Sequence, residues 1–94
     1  MSAVALLAAM TTAHTAQAAG TIEAYCLSKG DSDSACSCSQ TVADEHLSTA
    51  DQEQFVAIAD NPSAFFALAA KGAEGEAFLE RVTAFSEARE ARCQ

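Results

Sequence analysis

Four cysteines, Cys26, Cys36, Cys38 and Cys93, constrain this chain more than any other feature. Three crowd into one stretch and the fourth stands almost at the C-terminus, so any complete pairing ties the last segment back to the first. An even cysteine count in a chain of 94 residues is the mark of a disulfide framework, which forms in oxidising compartments. A domain this small buries only about 60% of the surface its unfolded chain exposes, so covalent staples supply stability that a small core lacks. Half of the residues are hydrophobic, but many are alanines and there is no Trp, which leaves the five phenylalanines to carry much of the packing.

Cys26 and Cys36 flank the turn-forming run Gly30-Asp31-Ser32-Asp33-Ser34 almost symmetrically. In an antiparallel helical hairpin this puts them at similar depth. In the chain-entropy account a bridge there contributes on the order of 3 kcal/mol, and one from Cys38 to Cys93, closing a much longer loop, about 4 kcal/mol. Cys26 with Cys36 and Cys38 with Cys93 is therefore the preferred arrangement. Cys26 with Cys38 and Cys36 with Cys93 stays open beside it, because Cys38 shares a helical face with Val42 and spacing alone does not separate the two.

The N-terminal segment points to the same compartment. Met1 to Ala18 contains no Lys, Arg, Asp or Glu, and its apolar run Ala3 to Met10 leads to Ala16-Gln17-Ala18, the A-x-A form that signal peptidase accepts. Cleavage is expected after Ala18, with Ala19 or Gly20 next, leaving one domain over 19–94. A basic residue is missing from the start of this segment, and an alanine-rich N-terminal helix is the alternative reading. The run falls far short of the roughly 20 apolar residues of a membrane-spanning helix, and no other stretch qualifies. A periplasmic or secreted protein without a transmembrane segment is expected.

Thirteen acidic against five basic residues give a net charge of −8, with an isoelectric point near 4.4. Nucleic-acid backbones and anionic membrane surfaces would repel such a chain, so neither is an expected partner.

The hydrophobic spacing predicts an all-α bundle of four to five short helices. The first runs from Thr21 to Lys29 with Ile22, Tyr25 and Cys26 on one face and stops at Gly30. The second, capped by Asp33 or Ser34, reaches about His46 and turns Ala35, Cys38, Val42 and Ala43 inward. Ser48-Thr49-Ala50-Asp51 reads as a capping box with Asp for Glu, opening a third helix whose inner residues are Phe55, Ile58 and Ala59. Asn61 as cap and Pro62 as first helical residue start a fourth through Phe65, Phe66 and Leu68 to Ala70, ended by Gly72. The last and longest, about Glu74 to Arg92, places Phe78, Val82, Phe85 and Cys93 within one arc, with an acidic start and a basic end that match its dipole.

Candidate chemistry is sparse. Cys36-Ser37-Cys38 as a redox pair lacks a neighbouring cation to lower a thiol pKa, and a Cys-rich metal site using His46 competes with disulfide pairing. Asp31-Ser32-Asp33 starts like a calcium loop but has Ala35 and Val42 where further ligands are needed. Ser48 beside His46 is better explained as a helix cap than as a nucleophile. Asp44-Glu45 and Glu74 with Glu76 read as a solvated face and a helix start. No catalytic residue, cofactor or metal is expected, and the chain is not expected to be an enzyme.

The combination of Glu23-Ala24-Tyr25-Cys26-Leu27, Cys36-Ser37-Cys38-Ser39-Gln40, Val42-Ala43-Asp44, Leu47-Ser48, Asp51-Gln52, Asn61-Pro62, Phe78, Phe85 and Cys93 resembles a group of small secreted alphaproteobacterial proteins. Some of these carry the label "arginine transporter". The resemblance implies an exported four-cysteine helical protein, and the label implies arginine handling. Without membrane spans, such handling would fall to a soluble binder or transport accessory whose carboxylates accept the guanidinium. The expected function is a non-catalytic binding or protein-interaction module of the bacterial envelope. A periplasmic small-ligand binder, arginine included, is the first alternative, and a thiol-redox or metal-handling protein the second.

Overall fold

The computed structural model describes residues 20–93; the expected signal segment and its cleavage at Ala18 or Ala19 lie outside them. Five helices follow one another: α1 (Thr21–Ser28), α2 (Asp33–His46), α3 (Thr49–Asp60), α4 (Ala64–Ala69) and α5 (Ala73–Arg92). Among the described residues there is no strand, and no helix is long and apolar enough to cross a membrane.

Local chemistry accounts for most of the boundaries. After α1, Gly30 takes a left-handed conformation with φ 91°, which a side chain would make costly. The Ser32 hydroxyl accepts from the Ala35 amide at 3.2 Å, so the cap of α2 lies one or two residues before the expected Asp33 or Ser34. Ser48 caps α3 as expected, accepting from the Asp51 amide at 3.1 Å. Asn61 and Pro62, expected as cap and first residue of α4, instead form a turn in which the Ala64 amide donates to the Asn61 carbonyl at 2.8 Å. Ser63 then takes the cap position without a side-chain capping bond, its hydroxyl donating instead to Asn61 Oδ1 at 2.7 Å. Gly72, with φ 62°, ends the turn after α4 and begins α5.

The cap of α1 comes from elsewhere in the fold. Gly20 has no side chain to offer, and the Gln40 Oε1 of α2 accepts from the Glu23 amide at 2.8 Å. A Cβ at position 20 would run into that same glutamine, so the missing side chain lets α2 supply the cap. The Gln40 amide group donates to Asp44 at 2.8 Å and to Gln52 at 2.9 Å. Gln52 in turn donates to Asp44 at 3.0 Å and to the Leu47 carbonyl at 3.2 Å. One polar network thereby joins α1, α2 and α3 with its buried members hydrogen-bonded, which desolvation demands.

Helix α2 lies at the centre, packed against both α1 and α5, with α3 against α1 and the short α4 touching only α3 and α5 among the larger contacts. The core cluster is Ile22, Val42, Ala43, Leu47 and Phe85, flanked by Phe55, Val56, Val82 and the Cys38 and Cys93 side chains. Phe55 meets Phe85 edge to face, with ring centroids 5.7 Å apart. Phe78 and Leu68 are buried outside this cluster.

The phenylalanines do not share the packing as expected. Phe65 and Phe66 are exposed, Phe66 at 75%. In a helix this short only one face is covered; Leu68 takes it, and Phe66 sits roughly 200° around the axis from Leu68. Ala59, expected inward, is exposed, while Phe55 and Ile58 are half-buried.

Candidate functional site

The cysteine sulfurs pair as Cys26 with Cys36 and Cys38 with Cys93, with Cα separations of 5.4 and 5.7 Å. The first bridge closes the α1–α2 hairpin and the second fastens the end of α5 to the start of α2, beside the core. With both formed, none of the four is a free thiol. Cys26, Cys36 and Asp31 do bring their ligand atoms within 4.8 Å of one another, but the thiolate is the metal ligand and the nucleophile, and a bonded sulfur supplies neither. The 3.6 Å approach of Cys26 Sγ to the Asp31 carboxylate is a contact rather than a hydrogen bond, since a disulfide sulfur has no proton to donate.

Asp44 and Glu45 are more engaged than a solvated face, whereas Glu74 and Glu76 stand exposed in the first turn of α5. Asp44 accepts from both glutamines of the network. Glu45 grips Arg92 through two bonds of 2.6 and 3.2 Å across α2 and α5. Asp51 holds Arg81 the same way, at 2.7 and 3.0 Å, linking α3 to α5. The guanidinium of Arg81 keeps the Asp51 carboxyl below its usual range; burial opposes this, and the Ser48 amide and hydroxyl add to it. Arg92 lowers Glu45 likewise, again against some desolvation. His46 ends α2, half-buried.

Where α1, α2, α3 and α5 converge there is a half-open cleft of about 150 Å³. Its deep part is built from Ile22, Phe85 and Ser39, each less than 5% exposed, together with half-buried Phe55. Its rim carries Tyr25, Lys29, Asp31 and Arg89. Helical spacing makes this wall: Lys29 follows Tyr25 by four residues and Arg89 follows Phe85 by four, so each cation stands one turn above an aromatic ring. The Lys29 ammonium lies 5.1 Å from the Tyr25 ring centroid, an arrangement that holds it at the rim.

Two features of the cleft escape a reading of the sequence. Two of the five basic residues, Arg81 and Arg92, are taken by ion pairs. Two of the remaining three, Lys29 and Arg89, border this one cleft. Among the described residues neither has a carboxylate within ion-pair distance. The second is Ser39, whose hydroxyl is engaged by none of the hydrogen bonds among the described residues. Among the described residues no fully enclosed side-chain nitrogen or oxygen lacks a partner, so this hydroxyl is not sealed in, and Ser39 lines the cleft. The signal in the chain is faint: a serine one turn from Ala35 and Ala43 on the buried side of α2.

A second surface feature lies at the α4 corner. Phe65 and Leu79 line a groove there with Leu68, Ala69, Gly72, Gly75 and Glu76, and Phe66 stands exposed beside it. No protein family, characterised protein or solved structure matches the chain.

Proposed function

We propose that this chain is an exported, non-catalytic binding module that takes a small ligand in the cleft between α1, α2, α3 and α5. The observation that carries this is the composition of the cleft: an apolar floor and, among the described residues, a buried hydroxyl that no hydrogen bond engages and two cations with no ion pair. A concave apolar pocket with a few convergent polar groups is the ordinary form of a small-ligand site. Export is supported by the charge-free segment Met1 to Ala18 and by the two disulfides. The absence of catalysis is a reading of how the reactive groups are used: the cysteines are bonded, Ser48 caps α3, and Asp51 and Glu45 neutralise arginines. Arginine itself suits this cleft poorly, since its guanidinium would be set beside Lys29 and Arg89.

Fragment titration followed by amide chemical shifts tests the proposal. Shifts should converge on Ile22, Ser39, Phe55, Phe85 and Arg89. Shifts absent there but present around Phe65, Phe66 and Leu79 would move the function to a second reading, a protein-interaction module acting through the α4 corner. What favours that reading is the 75% exposure of Phe66 in a stapled fold. On it, replacing Phe65 and Phe66 together by Ser leaves the melting temperature within a few degrees of the original, since exposed rings contribute little to the core.

A further inference from the structure

We infer that the cleft selects a small monocarboxylate with a compact apolar body, such as an aryl-acetate, over neutral and cationic ligands of the same shape. This rests on the cleft being a ligand site and adds the chemistry of the ligand. The size fits one ring: a cavity of about 150 Å³ lined by apolar side chains takes benzene, and this cleft has a comparable volume. The edge-to-face pair of Phe55 and Phe85 offers a ring the same packing they give each other.

In a chain of net charge −8, the expected fate of an arginine is a carboxylate neighbour, and Arg81 and Arg92 meet that expectation. Arg89 does not. On α5 and its C-terminal cap the residues one turn away from it are Phe85, Ser86, Arg92 and Cys93, none of them acidic. Among the described residues Lys29 is likewise without an ion pair, and it rests on Tyr25. Asp31 is the one carboxylate on the rim against these two cations. A guanidinium presents two parallel donors that match a carboxylate, so a ligand whose ring enters the floor would set its carboxylate between Arg89 and Lys29. The Ser39 hydroxyl, deeper in, is left to meet whatever polar edge the ligand carries.

Calorimetric titration of the oxidised protein with phenylacetate, phenylacetamide, phenethylamine and arginine tests this, with chemical-shift mapping to locate each ligand. Phenylacetate should bind about tenfold or more tightly than phenylacetamide, the range expected of hydrogen bonds to a charged group. Phenethylamine and arginine should bind more weakly than either. Arg89→Gln, at an exposed position, should bring the carboxylate and the amide to within about twofold of each other, chiefly by weakening the carboxylate, and Lys29→Gln should act in the same direction by less. Added salt should narrow the gap as screening grows. Equal affinity for carboxylate and amide, a preference for either cation, or a preference that survives Arg89→Gln with Lys29→Gln overturns the charge selection while leaving the cleft as a ligand site. If none of the four shifts a cleft residue, the ligand-site reading falls and this inference falls with it.

Discussion

Asp51 shows how a residue chosen for one local purpose acquires another. As the fourth residue of Ser48-Thr49-Ala50-Asp51 it belongs to the start of α3, yet its carboxylate also receives Arg81 from α5 in a two-bond pair, with the Asp51 side chain only 13% exposed. Its folded pKa is depressed, so the pair contributes stability above the ordinary carboxylate value of 3.8 and loses it as pH falls through the lower folded value. Asp51→Asn should therefore melt below the parent protein near neutral pH, and the gap should close as pH drops below about 4. A gap independent of pH, read from melts between neutrality and about pH 3, would show that charge is not what the pair supplies. Gly75 makes the converse point. A glycine inside a helix costs roughly 0.5–1 kcal/mol against alanine, but a Cβ here would collide with the Leu68 carbonyl oxygen of α4. Gly75→Ala should thus destabilise by about 1–3 kcal/mol in urea unfolding, the usual range for overpacking; a gain in stability would mean that α4 shifts freely.

Among the elements, α5 depends most on a covalent tie. The Cys38–Cys93 bridge spans a sequence separation of 55 and the Cys26–Cys36 bridge one of 10. Its sulfurs pack against the core cluster, and the Glu45–Arg92 pair stands beside it. The double variant Cys38→Ser with Cys93→Ser should lose more melting temperature than Cys26→Ser with Cys36→Ser, reflecting about 4 against about 3 kcal/mol. The wholly buried position of Cys36 works against that order, because a serine there would bury a hydroxyl. Equal melts, or a larger drop for the hairpin pair, would mean that burial outweighs loop length. At the other extreme, α4 has six residues and one buried side chain, Leu68. It follows Gly75 and the turns at its ends rather than any strong preference of its own.

For the molecule as a whole, the acidic surface is the dominant property. Protonation toward the isoelectric point near 4.4 removes the self-repulsion of a net charge of −8, and the apolar α4 corner is then free to associate. Sedimentation should show a monomer at neutral pH and larger species near pH 4.4; a monomer at both would remove pH-linked assembly from consideration.

What the sequence determines by itself is the part governed by neighbours along the chain. Gly30, Ser48 and Gly72 mark helix ends because backbone conformation and capping are local. Phe78 and Phe85 fall on the buried arc of α5 because helical periodicity sets their direction, and four cysteines, three near the start of the domain and one at its end, frame a stapled fold. The tertiary structure decides whatever depends on which helix comes opposite. Spacing admitted two disulfide arrangements, and the relative placement of α1, α2 and α5 selects one. Gln40 reads as an ordinary polar helix residue until the N-terminus of α1 arrives beside it. Phe65 and Phe66 read as core until Leu68 occupies the one face that α3 and α5 cover. Lys29, Ser39 and Arg89 are far apart in the chain, and no local rule relates them. They share a cleft because burying Ile22 and Phe85 in one core brings the ends of α1 and α5 together over α2.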